Sequence, residues 1–281
     1  MAQAGFAQAA VGNFGLRTPA RTFCTMAAEN LRPDGMYKDG SNPETVEPVP
    51  ALEWRSLDDM KNVVVHGIRA SPAVSKLITF LCFYNVPFKL KPGLNKKGSK
   101  YYKKMPVMDV AGRQVNDTYI QVKNLVKAFG GSDDWNEEWQ TRITYEYQLS
   151  TVYMMDFAEF HRMVTTPHSD FPLPSCCLCL VKQIRPGALK KMKVLFDDPN
   201  TIEKLVDLAE FCKEFAAAMG SKPYFHGDEP GNVDISFYGV NARCVFSKND
   251  FIMNPLDVAG LMPWLERMKQ RVPLDKIFFK V

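Results

Sequence analysis

The chain has 281 residues, 46% hydrophobic and 23% charged, a length and balance that allow one large buried core or two smaller ones. Its 35 basic and 31 acidic residues leave a net charge of +4, and their interspersion argues against nucleic acid as a partner. No apolar run reaches the roughly 18 to 20 residues that cross a bilayer, Leu173 to Val181 being the greasiest short stretch, so no transmembrane span is expected.

Residues 1–28 contain Arg17 and Arg21 and no acid before Glu29, without a continuous apolar stretch, the pattern of an organelle transit segment, mitochondrial rather than secretory. Residues 29–60 are polar and punctuated by Pro33, Gly35, Gly40, Pro43, Pro48 and Pro50, which predicts an extended arm without a core of its own. Apolar pattern begins at Asn62. Asn62-Val-Val-Val-His-Gly67 reads as a strand, and Pro72 opens a helix with apolar Val74, Leu77, Ile78, Leu81 and Cys82.

Pro87 to Leu90 is a second expected strand, followed by a lysine-rich loop. Met105 to Val110 is a third, and Gln114-Val115 a fourth after a turn at Gly112. Asp117 to Phe129 closes the unit as a helix with Ile120, Val122, Leu125 and Val126 on its apolar stripe, capped by Asn116 or Asp117. This βαβ-ββα order, over residues 61–131, is the thioredoxin-like topology. Residues 132–281 read as helices only: Trp135 to about Met163, Ala188 to Phe196, Thr201 to Met219, Val233 to Phe246 and Pro255 to Val272.

Seven cysteines, three of them at Cys176, Cys177 and Cys179, do not form a secreted disulfide framework. With only His161 and His168 near that cluster, buried free thiols are favoured over a metal site, and no metal is expected.

From Asn62 to Val272 the chain resembles the glutathione-transferase superfamily and, within it, the prostaglandin E synthase type 2 family. That family carries Cys-Pro-x-Cys then Ser-Lys after its first strand; here the place reads Ser71-Pro72-Ala73-Val74-Ser75-Lys76. Its Val-Pro step is matched by Met105-Pro106 and its Leu-Asn-Asp-Ser stretch by Val115-Asn116-Asp117-Thr118. The long irregular stretch Pro223-Tyr224-Phe225-His226-Gly227 through Ala242, with Val233 to Val240 at its centre, is the most specific match. The resemblance implies an α/β thioredoxin-like domain followed by an all-α glutathione-transferase C-terminal-type domain. A structural cap is implied at Gly231 and Asp234, with glycine where the superfamily usually has Ser, Thr or Asn.

Without sulfur at 71 or 74, thiol-disulfide exchange has no nucleophile there. Two uses of Ser71 remain open: helix N-cap before Pro72, or a hydroxyl donated to the sulfur of bound glutathione. Met105-Pro106 is either the cis peptide that would pair the Met105 backbone with glutathione or a plain strand-start proline. Asp117 and Thr118 either hold the γ-glutamyl end of glutathione or simply cap their helix. Seven lysines between Lys89 and Lys104, with Tyr101 and Tyr102 and no acid, suit an anion, an acidic partner, a lipid surface or plain solvent. Trp135, Trp139, Tyr145, Tyr147 and Tyr153 sit at helical spacing, as core.

Two functions follow as expectations. One is an accessory subunit of a larger mitochondrial assembly, a pseudoenzyme whose arm and lysine-rich loop contact protein partners or, peripherally, a membrane. The other is a glutathione-dependent transferase or isomerase using Ser71.

Overall fold

A computed structural model describes residues 56–93, 105–131, 135–171 and 203–279, with seven further residues at 179, 182, 183, 185–187 and 190. The expected transit segment, most of the arm, most of the lysine-rich loop and the helix expected from Ala188 to Phe196 lie largely outside the described residues.

The first half is an α/β unit. Strand β1 (Val63–Gly67) leads through helix α1 (Pro72–Phe83) to β2 (Phe88–Pro92), then β3 (Val107–Val110), β4 (Arg113–Asn116) and helix α2 (Thr118–Phe129). The sheet order is β2-β1-β3-β4, with β2 parallel to β1 and both other pairings antiparallel. That is the thioredoxin-like arrangement. Lys89 and Lys91, whose charge suggests a loop, lie on β2, whose edge position leaves alternate side chains in water while Leu90 turns inward. The β3-β4 connection uses Ala111 at φ 49° and Gly112 at φ 82°, two positive-φ residues that give a two-residue hairpin the twist its strands need.

The second half is all helical: α3 (Glu137–Arg142), a π-helical turn (Ile143–Tyr147), α4 (Gln148–Tyr153), α5 (Phe157–Thr165), α6 (Leu208–Met219), α7 (Asn232–Phe246), α8 (Asp250–Val258), α9 (Met262–Arg271) and α10 (Leu274–Phe278). Together the halves are a thioredoxin-like α/β unit followed by an all-helical one.

Three expected helices are corrected. The segment from Trp135 to Met163 is interrupted because Asp156 turns extended and accepts the Glu159 N–H at 2.8 Å, starting α5 afresh. Helix α6 begins at Leu208, not Thr201, because the Asp207 carboxylate takes the N–H groups of Ala209 and Glu210. The segment from Pro255 to Val272 is two helices, divided at Gly260, whose φ of 71° ends the helical path before Pro263 starts the next. Helix α10, only five residues long, carries too short a pattern to be expected.

The core is continuous across the two halves. Helix α1 is buried from Pro72 to Leu81 and α7 from Asn232 to Val245, and the two pack along each other. A helix covered all round normally reads as wholly apolar, yet α1 buries Ser75, Lys76 and Thr79. Two of these are satisfied locally, Ser75 Oγ donating to the Arg69 carbonyl and Thr79 Oγ1 to the Ser75 carbonyl. The helices come this close because residue 239 has no side chain. A Cβ there would stand 2.8 Å from Lys76 Cα and 3.1 Å from Thr79. Gly239→Ala is therefore expected to lower stability by about 2 kcal/mol in urea unfolding, the overpacking penalty exceeding the helix-propensity gain. An unchanged or raised midpoint would contradict this packing.

One buried arginine braces the helical half from within, and a second ties it to the α/β unit. Arg243 donates to the carbonyls of Met163, Thr166 and Pro167 at the end of α5, and burial lowers its pKa to about 10, so it stays charged at neutral pH. Arg69 grips both oxygens of Asp170 and the Ile277 carbonyl. The loop that leads from β1 to Ser71 is thereby tied to the helical half, with the Ala70 N–H bonded to the Ser169 carbonyl.

Candidate functional site

Strand register decides what meets at one end of the sheet. Gly67 lies opposite Pro92, His66 opposite Val107, and Val107 opposite Asn116. The next residues along each strand are the loop to Ser71, Pro106 and Asp117. Ser71, Met105-Pro106 and Asp117-Thr118, distant in sequence, therefore converge at this edge.

Ser71 stands at the head of α1 in extended conformation, half-buried. Its N–H donates to the Ile68 carbonyl and its carbonyl accepts the Ser75 N–H, both at 2.9 Å. The hydroxyl forms no cap hydrogen bond. Pro72 at the first helical position already removes one donor that a cap would serve.

Met105-Pro106 is a cis peptide. The Pro106 carbonyl accepts from Gln121 Nε2 at 3.2 Å, and the same nitrogen donates to the Val115 carbonyl at 2.8 Å. Gln121, fully buried, thus staples the start of β3, the end of β4 and α2 into one piece, a role its place among polar helix positions does not reveal.

Asp117 adopts φ 69°, and its Oδ1 accepts the Tyr119 N–H at 2.8 Å, so it caps α2. It is 8% exposed and Thr118 4%. Their backbone opens α2 where β4 ends.

A second residue absent from the sequence expectations is Lys76. Its side chain is fully buried, and Nζ donates to Thr144 Oγ1 in the π-helical turn at 2.7 Å. Burial lowers its pKa from 10.5 to about 7, and the Asp117 carboxylate opposes that fall. On its own helix a lysine beside Leu77 and Ile78 reads as a solvent-facing residue. Only the approach of α7 encloses it.

Gly231 precedes α7, and the Asp234 carboxylate accepts from the N–H groups of Gly231 and Phe225 and from Trp264 Nε1. Burial pushes this carboxyl up, against the pull of those donors. Both residues are architectural and stand apart from the sheet-end cluster.

Among the described residues, Cys82, Cys212 and Cys244 offer this cluster no thiol. Cys82 lies eleven residues along α1 from Ser71, about 16 Å at the helical rise, and its Sγ meets the Lys276 carbonyl at 3.5 Å. Cys212 and Cys244 are buried, which pushes each thiol up to about 12. A shallow groove beside Cys82, Val86 and Phe279 is at this far end of α1 and does not reach the Ser71 edge. Among the described residues no group of three or more His, Cys, Asp or Glu is placed to hold a metal, and no helix is long and apolar enough to cross a membrane. Cys176 and Cys177 lie outside the described residues, as do the arm and loop expected to meet partners, apart from residues 56–60 and 89–93.

No protein-family model matches the sequence. A search of curated proteins finds no match. Among solved structures the chain is similar to a rice GST in complex with glutathione, at 17% identity and a TM-score of 0.44, over 78% of this chain and 89% of that one. It is also similar to a tau-class glutathione S-transferase from mango, at 16% identity and a TM-score of 0.43, over 78% of this chain and 93% of that one. A glutathione S-transferase from Pseudomonas fluorescens shares 16% identity and a TM-score of 0.44, over 75% of this chain and 98% of that one. The fold assignment rests on strand order and register.

Proposed function

We propose that the chain binds glutathione at the sheet edge and acts as a glutathione-dependent transferase or isomerase. In this reading the Met105 backbone pairs with the extended peptide, Thr118 and the first N–H groups of α2 receive the γ-glutamyl carboxylate, and Asp117 receives its ammonium. The Ser71 hydroxyl donates to the sulfur and favours its thiolate; the thiol proton leaves to solvent, and the sulfur bonds to an electrophilic carbon whose leaving group departs with the electron pair of the broken bond.

The observation that carries the reading is the Ser71 hydroxyl: it stands at a helix N-terminus, at the end of the sheet where the cis Met105-Pro106 peptide precedes β3, unused by the cap that its sequence position offers. A serine kept there for capping alone would spend its oxygen on the helix.

Calorimetric titration with millimolar glutathione tests the reading, and absence of binding overturns it. Ser71→Ala is expected to lower kcat/KM for thiol conjugation about 100-fold, the loss typical of one donor to a developing anion. Stability should change by less than about 0.5 kcal/mol, because no cap bond is lost. A large stability loss with unchanged turnover would assign the hydroxyl to the fold instead.

A further inference from the structure

Ser71 is held by a chain of contacts that begins outside the α/β unit. The Asp170 carboxylate, in the segment after α5, accepts from Arg69 Nη1 at 3.0 Å and 2.9 Å and from the Arg69 N–H at 3.2 Å. One carboxylate thus fixes both the side chain and the backbone of the residue two before the serine. The Ala70 N–H donates to the Ser169 carbonyl at 2.9 Å, and the Arg69 carbonyl accepts from Ser75 Oγ at 2.9 Å. Ser75 also gives its N–H to the Ser71 carbonyl, while the Ser71 N–H goes to the Ile68 carbonyl. Arg69, Ala70 and Ser71 are therefore set one after another, from the Asp170 segment on one side and from α1 on the other.

The anchor is itself fastened, and it is strained. His168 and Asp170 take φ 61° and 59°, left-handed conformations that residues with a Cβ disfavour. Between them Ser169 donates its Oγ to the Val164 carbonyl and accepts the Phe171 N–H, and Arg243 of α7 holds the carbonyls of Met163, Thr166 and Pro167 just before. His168 rests edge-on against Phe279, with ring centroids 4.4 Å apart, and Arg69 Nε reaches the Ile277 carbonyl of α10 at 3.3 Å. A buried ion pair adds little to stability, since desolvation offsets the attraction, whereas its directional bonds select one geometry. Strain and a buried pair at the root of one serine are the means by which a reactive group is held in place.

We propose that Asp170 is a positioning residue for the Ser71 hydroxyl: through Arg69 it holds the turn at 68–71 in the conformation that leaves this hydroxyl off the helix and available to a ligand thiol. The inference rests on the reading above, in which that hydroxyl donates to the glutathione sulfur. In it neither Asp170 nor Arg69 meets the peptide. Loosening their grip leaves the hydroxyl present but displaced, so thiolate stabilisation falls by part of what deleting the hydroxyl costs.

Asp170→Asn is the variant, because it keeps the shape and one acceptor oxygen while giving up the charge. The assay is conjugation of glutathione to chlorodinitrobenzene: the sulfur–carbon bond forms, chloride departs with the electron pair of its bond to carbon, and the thiol proton goes to solvent. Near about pH 6, kcat/KM is expected to fall about tenfold through kcat, with the KM for glutathione unchanged, and the ionisation of the bound thiol, read by thiolate absorbance, should move up by about one unit. At alkaline pH, where the thiol ionises without help, the two chains should converge. In a Ser71→Ala background Asp170→Asn should cost nothing further. Arg69→Lys, a point charge without the planar fork, should give the same upward move and carries the test where Asp170→Asn does not fold. A rate lowered equally at every pH, an equal loss with and without the Ser71 hydroxyl, or a wild-type profile in both variants overturns the positioning while leaving the glutathione reading intact. No glutathione binding by the wild type, or a wild-type profile in Ser71→Ala, overturns both.

Discussion

Asp234→Ala is expected to lower the stability of the chain by about 4 kcal/mol, because it strands buried donors. The carboxylate is fully buried and accepts from the Phe225 N–H at 2.9 Å, the Gly231 N–H at 3.1 Å and Trp264 Nε1 at 2.8 Å. These three donors belong to separate pieces of chain: the turn at Tyr224–Gly227, the start of α7 and the body of α9. Glycine at the cap position supplies no side-chain oxygen of its own, and the Asp234 side chain serves this end of α7 instead. Its partner Trp264 packs against Phe215 and Phe237, and Phe215 against Phe225, so the carboxylate sits at an apolar cluster and is itself wholly buried. Urea unfolding followed by tryptophan fluorescence measures the effect. A loss below about 1 kcal/mol would mean that the donors find other partners. Asp234→Asn, which retains one acceptor oxygen, should lose about half as much.

Lys76→Met is expected to do the opposite and raise stability at pH 7 by about 2 kcal/mol. The folded chain holds Lys76 at about 7 while the unfolded chain holds it at its ordinary 10.5. Between these values the unfolded chain binds more protons, so this residue makes stability rise with pH from about 7 to about 10.5. Below that window both states are protonated and the burial penalty, about 3 kcal/mol or more, is complete. Methionine has nearly the same shape and removes the penalty, at a cost of about 1 kcal/mol for the Thr144 hydroxyl left without its donor. Denaturant midpoints at pH 6, 7, 8, 9 and 10 separate the two chains: their difference should shrink steadily above pH 7. Parallel curves across that range would show that Lys76 is not buried as an amine.

The local grammar of the α/β unit is legible in the order of its residues. Pro72 marks the head of α1, the β-branched run at Val63 marks β1, and Gly112 marks the tight turn that joins β3 to β4. Helix ends in the second half are harder to place, because Asp156 and Asp207 can sit within a polar helix face as well as cap a new helix. Which they do depends on whether the chain must change direction to bury Met163 or Phe211, a matter of long-range packing. Lys89 and Lys91 mislead for a related reason: an edge strand tolerates charge on its exposed positions, so composition there resembles a loop.

The sequence by itself determined the alternation of strands and helices and the absence of sulfur at 71 and 74, since both are properties of neighbouring residues. Thiol exchange at that turn is excluded on those grounds alone. Tertiary structure decided what Ser71, Lys76 and Asp117 have to offer. The Ser71 hydroxyl is left unused because Pro72 and the Arg69 loop, tied to Asp170, shape the head of α1. Lys76 is enclosed because Thr144 and Gly239, 68 and 163 residues away in the chain, close on it from the helical half. Burial and electric field at a side chain are sums over whatever lies nearby in space, and no local pattern encodes them.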